Sequence, residues 1–140
     1  MLNKTLSVPR TQILVVEDSE RLRETLQDIL ESLGHAVRTA ASGTEALRAY
    51  PYEACDVVMV DLGLPDMTGY EVARALRSAA AQLGLPVYLV AMTGYVSPAH
   101  KEAAAEAGFN YYLAKPFDLE TLERVLLSRP QTPASTLQPL

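Results

Sequence analysis

The sequence predicts an α/β fold, a doubly wound five-stranded parallel sheet with helices on both faces. Short apolar, β-rich runs recur at 13–16, 36–40, 57–60, 87–91 and 111–114, with helical patterns between them. Alternation of strand and helix implies parallel βαβ units. The runs at 57–60 and 87–91 are apolar throughout, as strands covered by helices on both faces require, so they should be central.

The elements follow in order. After the first strand, Leu22, Leu26, Ile29, Leu30 and Leu33 share one helical face, with Ser19 as N-cap and Gly34 as the stop. Ser42-Gly43-Thr44-Glu45 has capping-box spacing and opens a short second helix through about Tyr50, closed by Pro51. The third helix should begin near Gly69, carry Val72, Ala73 and Leu76 inward, and end before Gly84. Ser97-Pro98 reads as N-cap and first-turn proline of a fourth helix that Gly108 ends, with Ala103, Ala104, Ala105 and Ala107 as a thin apolar face. Asp118 can cap a fifth helix in which Leu119, Leu122, Val125 and Leu126 share a face. The domain should therefore span 12–129, between a flexible flank at 1–11 and a disordered tail at 130–140 that is rich in Pro, Thr, Ser and Gln.

A chain of 140 residues suits one domain, and its 49% hydrophobic and 21% charged shares are those of a globular protein. The net charge of -5 argues against wide contact with nucleic acid or an anionic membrane. Cys55 is the only cysteine and lies in an apolar run, so it reads as a small buried hydrophobe and no internal disulfide can form. There is no run of about 18 apolar residues and no signal-peptide pattern at the start, and the expected location is cytoplasmic.

In a doubly wound sheet, ligands bind beyond the carboxyl ends of the strands, where strand order reverses. Glu17 and Asp18 follow the first strand, Asp61 the third, Thr93 the fourth and Lys115 the fifth. Three carboxylates on one rim repel one another unless a cation favours their charged forms. An all-oxygen site with few protein ligands suits magnesium, which shares its coordination with phosphate oxygens. Lys115 adds a positive charge and Thr93 a hydroxyl donor, the parts needed to hold a phosphoryl group against Asp61 as nucleophile.

Singly, each residue has an ordinary reading: Asp18 a helix cap, Asp61 a loop cap, Thr93 a strand end and Lys115 a solvated charge. Jointly they require five coincidences at matched strand ends. His35 and His100 have no Cys or His at ligand spacing. Glu20, Arg21, Arg23 and Glu24 read as a solvated helix face that could meet a partner.

The chain resembles, over about 12–127, the receiver domains of two-component response regulators and hybrid histidine kinases. The marks are Glu17-Asp18 after the first strand, Asp61-Leu62-Gly63-Leu64-Pro65-Asp66-Met67-Thr68-Gly69, Ala91-Met92-Thr93-Gly94 and Lys115-Pro116-Phe117. The Asp61–Pro65, Thr93–Tyr95 and Ala107–Phe109 stretches look most like receivers attached to hybrid kinases. The resemblance implies a flavodoxin-like strand order, 2-1-3-4-5, and phosphorylation of Asp61. It implies Mg2+ held by Asp18, Asp61 and the Gly63 backbone carbonyl, with Glu17 reaching it through water. It further implies that Lys115 pairs with Asp61 or the phosphoryl oxygens, that Thr93 and Tyr112 form a switch, and that the Lys115–Pro116 peptide is cis. Expected partners are a histidine kinase or histidine phosphotransfer domain, with helix 4, strand 5 and helix 5 as a surface for a downstream protein or a homodimer.

Two enzymatic or redox readings fit less well. A dehalogenase-type phosphatase also uses a strand-end aspartate with magnesium but needs a second acid two residues on, where Gly63 stands. A flavodoxin-like electron carrier needs a phosphate-cradling first loop, which Glu17-Asp18 would oppose. A phosphate-insensitive interaction module is the remaining alternative, although its usual sign, loss of the acceptor or the lysine, is absent.

Overall fold

Five strands and five helices alternate along the chain in the computed structural model, which describes residues 10–51 and 55–129. They are β1 (Gln12–Val16), α1 (Glu20–Ser32), β2 (Ala36–Ala40), α2 (Gly43–Ala49), β3 (Val57–Asp61), α3 (Gly69–Leu83), β4 (Tyr88–Thr93), α4 (Pro98–Ala107), β5 (Tyr111–Ala114) and α5 (Leu119–Ser128). The strands form one parallel sheet in the order β2-β1-β3-β4-β5, which is the order expected. Residues 1–9 of the expected flank and the expected tail lie outside the described residues. Thr11 is buried, donates its N–H to His35 Nδ1 at 3.1 Å and accepts the Ala36 N–H at 3.0 Å, so ordered backbone begins before β1.

The two-residue period of the strands divides the core. Leu14, Val16, Val58, Val60, Leu89 and Ala91 face one layer with Ala46, Val72, Leu76 and Ala104, from α2, α3 and α4. Ile13, Val15, Val57, Met59, Val90 and Met92 face the other with Leu26, Leu30, Leu122 and Val125, from α1 and α5. The central strands are buried on both faces. This is why their sequence shows no alternation.

The caps largely follow the sequence. Ser19, Ser42, Thr68, Ser97 and Asp118 each accept a backbone N–H of the first helical turn. At α2 the expected box is incomplete, because Glu45 turns back to the Ala41 N–H at 2.9 Å, outside the cap residue. A closed box forms instead at Thr68 and Glu71. Gly108 ends α4 at φ 109, a left-handed conformation that disfavours a side chain.

Two expected helix faces are corrected. Leu119 is 48% exposed. Only Ala104 and Ala107 of the α4 alanines are buried, Ala103 is half-buried and Ala105 is exposed. Periodicity gives the direction a residue faces, not whether a neighbour stands there. Among the described residues, no helix is long and apolar enough to cross a membrane.

Candidate functional site

Chain topology places the site. From β1 the chain crosses to β2 on one side, and β3 pairs with β1 on the other. The crevice beyond the carboxyl ends of β1 and β3 is therefore the switch point of the sheet. Glu17 and Asp18 follow β1 directly, and Asp61 is the last residue of β3. One carboxylate oxygen from each of the three lies within 4.8 Å of the others.

Burial makes this cluster costly without a cation. Glu17 is 1% exposed and Asp61 8%, whereas Asp18 is exposed. Burial pushes the Glu17 carboxyl above its ordinary pKa, and the Asp61 charge adds to this. The Lys115 bond and the Ser19 N–H, which donates to Glu17 Oε2 at 3.1 Å, oppose the shift. Lys115 Nζ lies 3.0 Å from Glu17 Oε1 and 3.5 Å from Asp61 Oδ1, spanning the two buried acids.

The donor set fits a magnesium ion. Ligand distances of about 2.1 Å place directly bound oxygens about 3 to 4 Å apart, so a cluster of this width accommodates two direct carboxylates and a third through water. Gly63 is exposed two residues after Asp61, and its N–H donates to Asp61 Oδ1 at 3.3 Å. An added Cβ at Gly63 or at Gly94 would meet nothing within 4 Å. Both neighbours of the crevice are open.

Thr93 ends β4 on the same rim and is buried. Its hydroxyl accepts the Tyr95 N–H at 3.0 Å and donates to the Tyr95 carbonyl at 3.3 Å. Tyr112, half-buried on the edge strand β5, donates its hydroxyl to the same carbonyl at 2.9 Å. Thr93 and Tyr112 thus meet through one backbone group. Lys115 follows β5, its N–H donates to the Thr93 carbonyl at 2.7 Å, and the Lys115–Pro116 peptide is cis.

Three residues with structural roles escaped the sequence reading, Arg23 and Asp66 on the site's rim and Arg77 at the other end of the sheet. Arg23, read as part of a solvated face, is half-buried and donates Nη1 to the Glu17 carbonyl at 2.8 Å and the Asp18 carbonyl at 3.4 Å. Asp66, from the loop after β3, accepts the Gly43 and Thr44 N–H groups and the Thr44 hydroxyl at the start of α2. Arg77 of α3 donates twice to the Gly108 carbonyl, once to the Val87 carbonyl and once to Asn110 Oδ1. No sequence spacing marks such bonds, because their partners are mostly main chain and, for Asp66 and Arg77, 10 to 33 residues away. His35 likewise sits at the end of the sheet away from the site, and His100 lies in the first turn of α4 with its ring against Tyr95.

Comparison with known proteins points to one family. The sequence model of the response regulator receiver domain matches residues 13–127. The sensor histidine kinase RcsC of Salmonella typhimurium is 36% identical over 114 residues, covering 81% of this chain and 12% of that protein. The response regulator MprA of a Mycobacterium species is 37% identical over 134 residues, covering 89% of this chain and 56% of its own length. The chain thus spans only part of each of these relatives. Among solved structures, chemotaxis protein CheY4 of Vibrio cholerae superposes with a TM-score of 0.75 at 33% identity, covering 83% of this chain and 98% of that one. The receiver domain of a Pseudomonas aeruginosa sensor histidine kinase, with a magnesium ion coordinated in its active-site cleft, gives 0.74 at 32% identity, covering 84% of this chain and 94% of that one.

Proposed function

Because this chain belongs to the response regulator receiver domain family of two-component systems, we propose that it is a phosphoryl-accepting switch with Asp61 as the acceptor. The observation that carries this is the convergence of Glu17, Asp18 and Asp61 within 4.8 Å, with Lys115 Nζ spanning two of them. The donor is a phosphohistidine on a histidine kinase or a histidine phosphotransfer protein, as the kinase relatives suggest. A carboxylate oxygen of Asp61 attacks phosphorus, the N–P bond breaks with its electron pair going to the imidazole, and an acyl phosphate results.

Asp18, Asp61 and the Gly63 carbonyl would hold magnesium directly and Glu17 through water, and the ion would neutralise charge on the phosphoryl oxygens. Lys115 supplies a second cation there. Thr93 is the hydroxyl drawn toward the new group, and its departure from Tyr95 frees the carbonyl that Tyr112 also holds. The described unit is a switch and not a turnover enzyme for outside substrates, although it takes part in its own phosphorylation and dephosphorylation. It works in the cytoplasm within the bounds 12–129, either alone or as one part of a hybrid kinase. The surface of α4, β5 and α5 is its proposed contact with a downstream protein or a second copy.

Intact mass after incubation with acetyl phosphate tests the reading. One added phosphoryl group should appear only with magnesium and not in Asp61→Asn. If neither an adduct nor faster donor breakdown is seen with magnesium, the chain is better read as a phosphate-insensitive interaction module.

A further inference from the structure

The acidic rim has a support that its three carboxylates do not supply themselves. Glu17 and Asp18 lie in a short connection between β1 and α1, and Asp18 is exposed. The Glu17 N–H is tied to the Ala40 carbonyl at 3.0 Å, and the Ser19 N–H to the Glu17 side chain at 3.1 Å. Neither bond holds the carbonyls of residues 17 and 18. Arg23 does: one guanidinium nitrogen reaches the Glu17 carbonyl at 2.8 Å and the Asp18 carbonyl at 3.4 Å from one turn along α1. Among the described residues, it forms no ion pair with either carboxylate.

We propose that Arg23 is a positioning residue for the metal site, holding the Glu17–Asp18 backbone so that both carboxylates face Asp61. The inference rests on the reading of the acidic cluster as a magnesium site. Arg23 is rooted in α1 and half-buried, so its planar head meets the connection from a fixed direction. Charge-assisted donation to a carbonyl is stronger than a neutral hydrogen bond. Magnesium is intolerant of distorted geometry, so loosening this backbone acts on affinity before it acts on the fold.

Calorimetric titration of magnesium alone into the wild type, Arg23→Lys and Arg23→Gln tests this, with thermal melts in metal-free buffer beside it. Loss of an outer support typically weakens metal binding by about 10-fold or more, and that is expected for Arg23→Gln. Arg23→Lys, which keeps a charged donor group on a shorter side chain, should fall between. Wild-type affinity in a folded Arg23→Gln overturns the inference and leaves the site reading intact. Absence of magnesium binding by the wild type overturns both. NMR of the wild type gives a test independent of the variants: the Arg23 guanidinium protons should be resolved, protected from exchange and shifted by magnesium, and averaged signals indifferent to magnesium overturn the proposal.

Discussion

Gly69 opens α3 directly against the loop that follows Asp61, and replacing it with alanine tests how tightly that loop is held. A Cβ at Gly69 would stand 2.7 Å from Leu62 Cα, 2.8 Å from Leu62 Cδ2 and 2.9 Å from the Asp61 carbonyl oxygen. All three distances are half an ångström or more short of ordinary contact, and two of the atoms are main chain. Leu62 cannot simply move away, because its N–H is bonded to the Met92 carbonyl and its carbonyl to the Gly69 N–H. Overpacking of this kind costs about 1–3 kcal/mol, and the better helix propensity of alanine returns up to about 1 kcal/mol. A net loss of about 1–2 kcal/mol lowers the melting temperature by about 4–8 °C for a domain of this size. Gly63→Ala is the control, since its added Cβ meets nothing within 4 Å and its effect should stay within about 0.5 kcal/mol. Thermal and urea unfolding of both variants decide the matter. A Gly69→Ala protein as stable as wild type, or a Gly63→Ala protein equally damaged, would refute the close approach of α3 to Leu62.

Two further predictions concern ties between elements far apart in the sequence. Bonds from the Thr44 hydroxyl first, then from the Thr44 and Gly43 N–H groups, hold the Asp66 carboxyl at about 2. Because this lies below the unfolded value, the contribution is complete above about pH 4 and is lost as pH falls toward 2. Urea midpoints should drop over that window in the wild type and drop less steeply in Asp66→Ala, which is also less stable at neutral pH. Arg77→Met would leave the Gly108 and Val87 carbonyls and Asn110 Oδ1 without their charged donor. A loss of about 2–3 kcal/mol is expected by denaturant unfolding, and hydrogen exchange should rise first at the α4–β5 turn.

Much of this molecule was legible in its sequence because the informative residues mark themselves locally. Asp61, Thr93 and Lys115 stand at or just past the ends of apolar runs, so recognising strands also located the crevice. Ser19, Ser97 and Asp118 are followed by helical patterns that give them a role. What stayed hidden depends on main-chain partners, which carry no sequence signal, and for two residues on distance as well. Arg23 looked like any charged residue on an amphipathic helix, and only the fold brings its head onto the Glu17 and Asp18 carbonyls. Asp66 reaches α2 across 23 and 22 residues, and Arg77 reaches Gly108 across 31. Leu119 failed for the converse reason, since its spacing is correct but it remains half exposed.

The two ends of α4 are held by different chemistry, and this bears on where a switch could act. The helix buries only Ala104 and Ala107, so its apolar attachment is small. Its C-terminal end is fixed by Gly108 at φ 109 and by the paired Arg77 bonds to the Gly108 carbonyl. Its N-terminal end has the Ser97 cap, with the His100 ring edge-on to Tyr95 at 4.8 Å. Tyr95 is also the residue to which Thr93 and Tyr112 are bonded. Under the proposed mechanism, a phosphoryl group that draws Thr93 away releases bonds at Tyr95 and leaves Arg77 untouched. Allosteric couplings are typically about 1–3 kcal/mol, comparable to one cap and one or two hydrogen bonds. Such a change suffices to loosen the first turn of α4 but not to detach its last turn, so the response should be a pivot about Gly108.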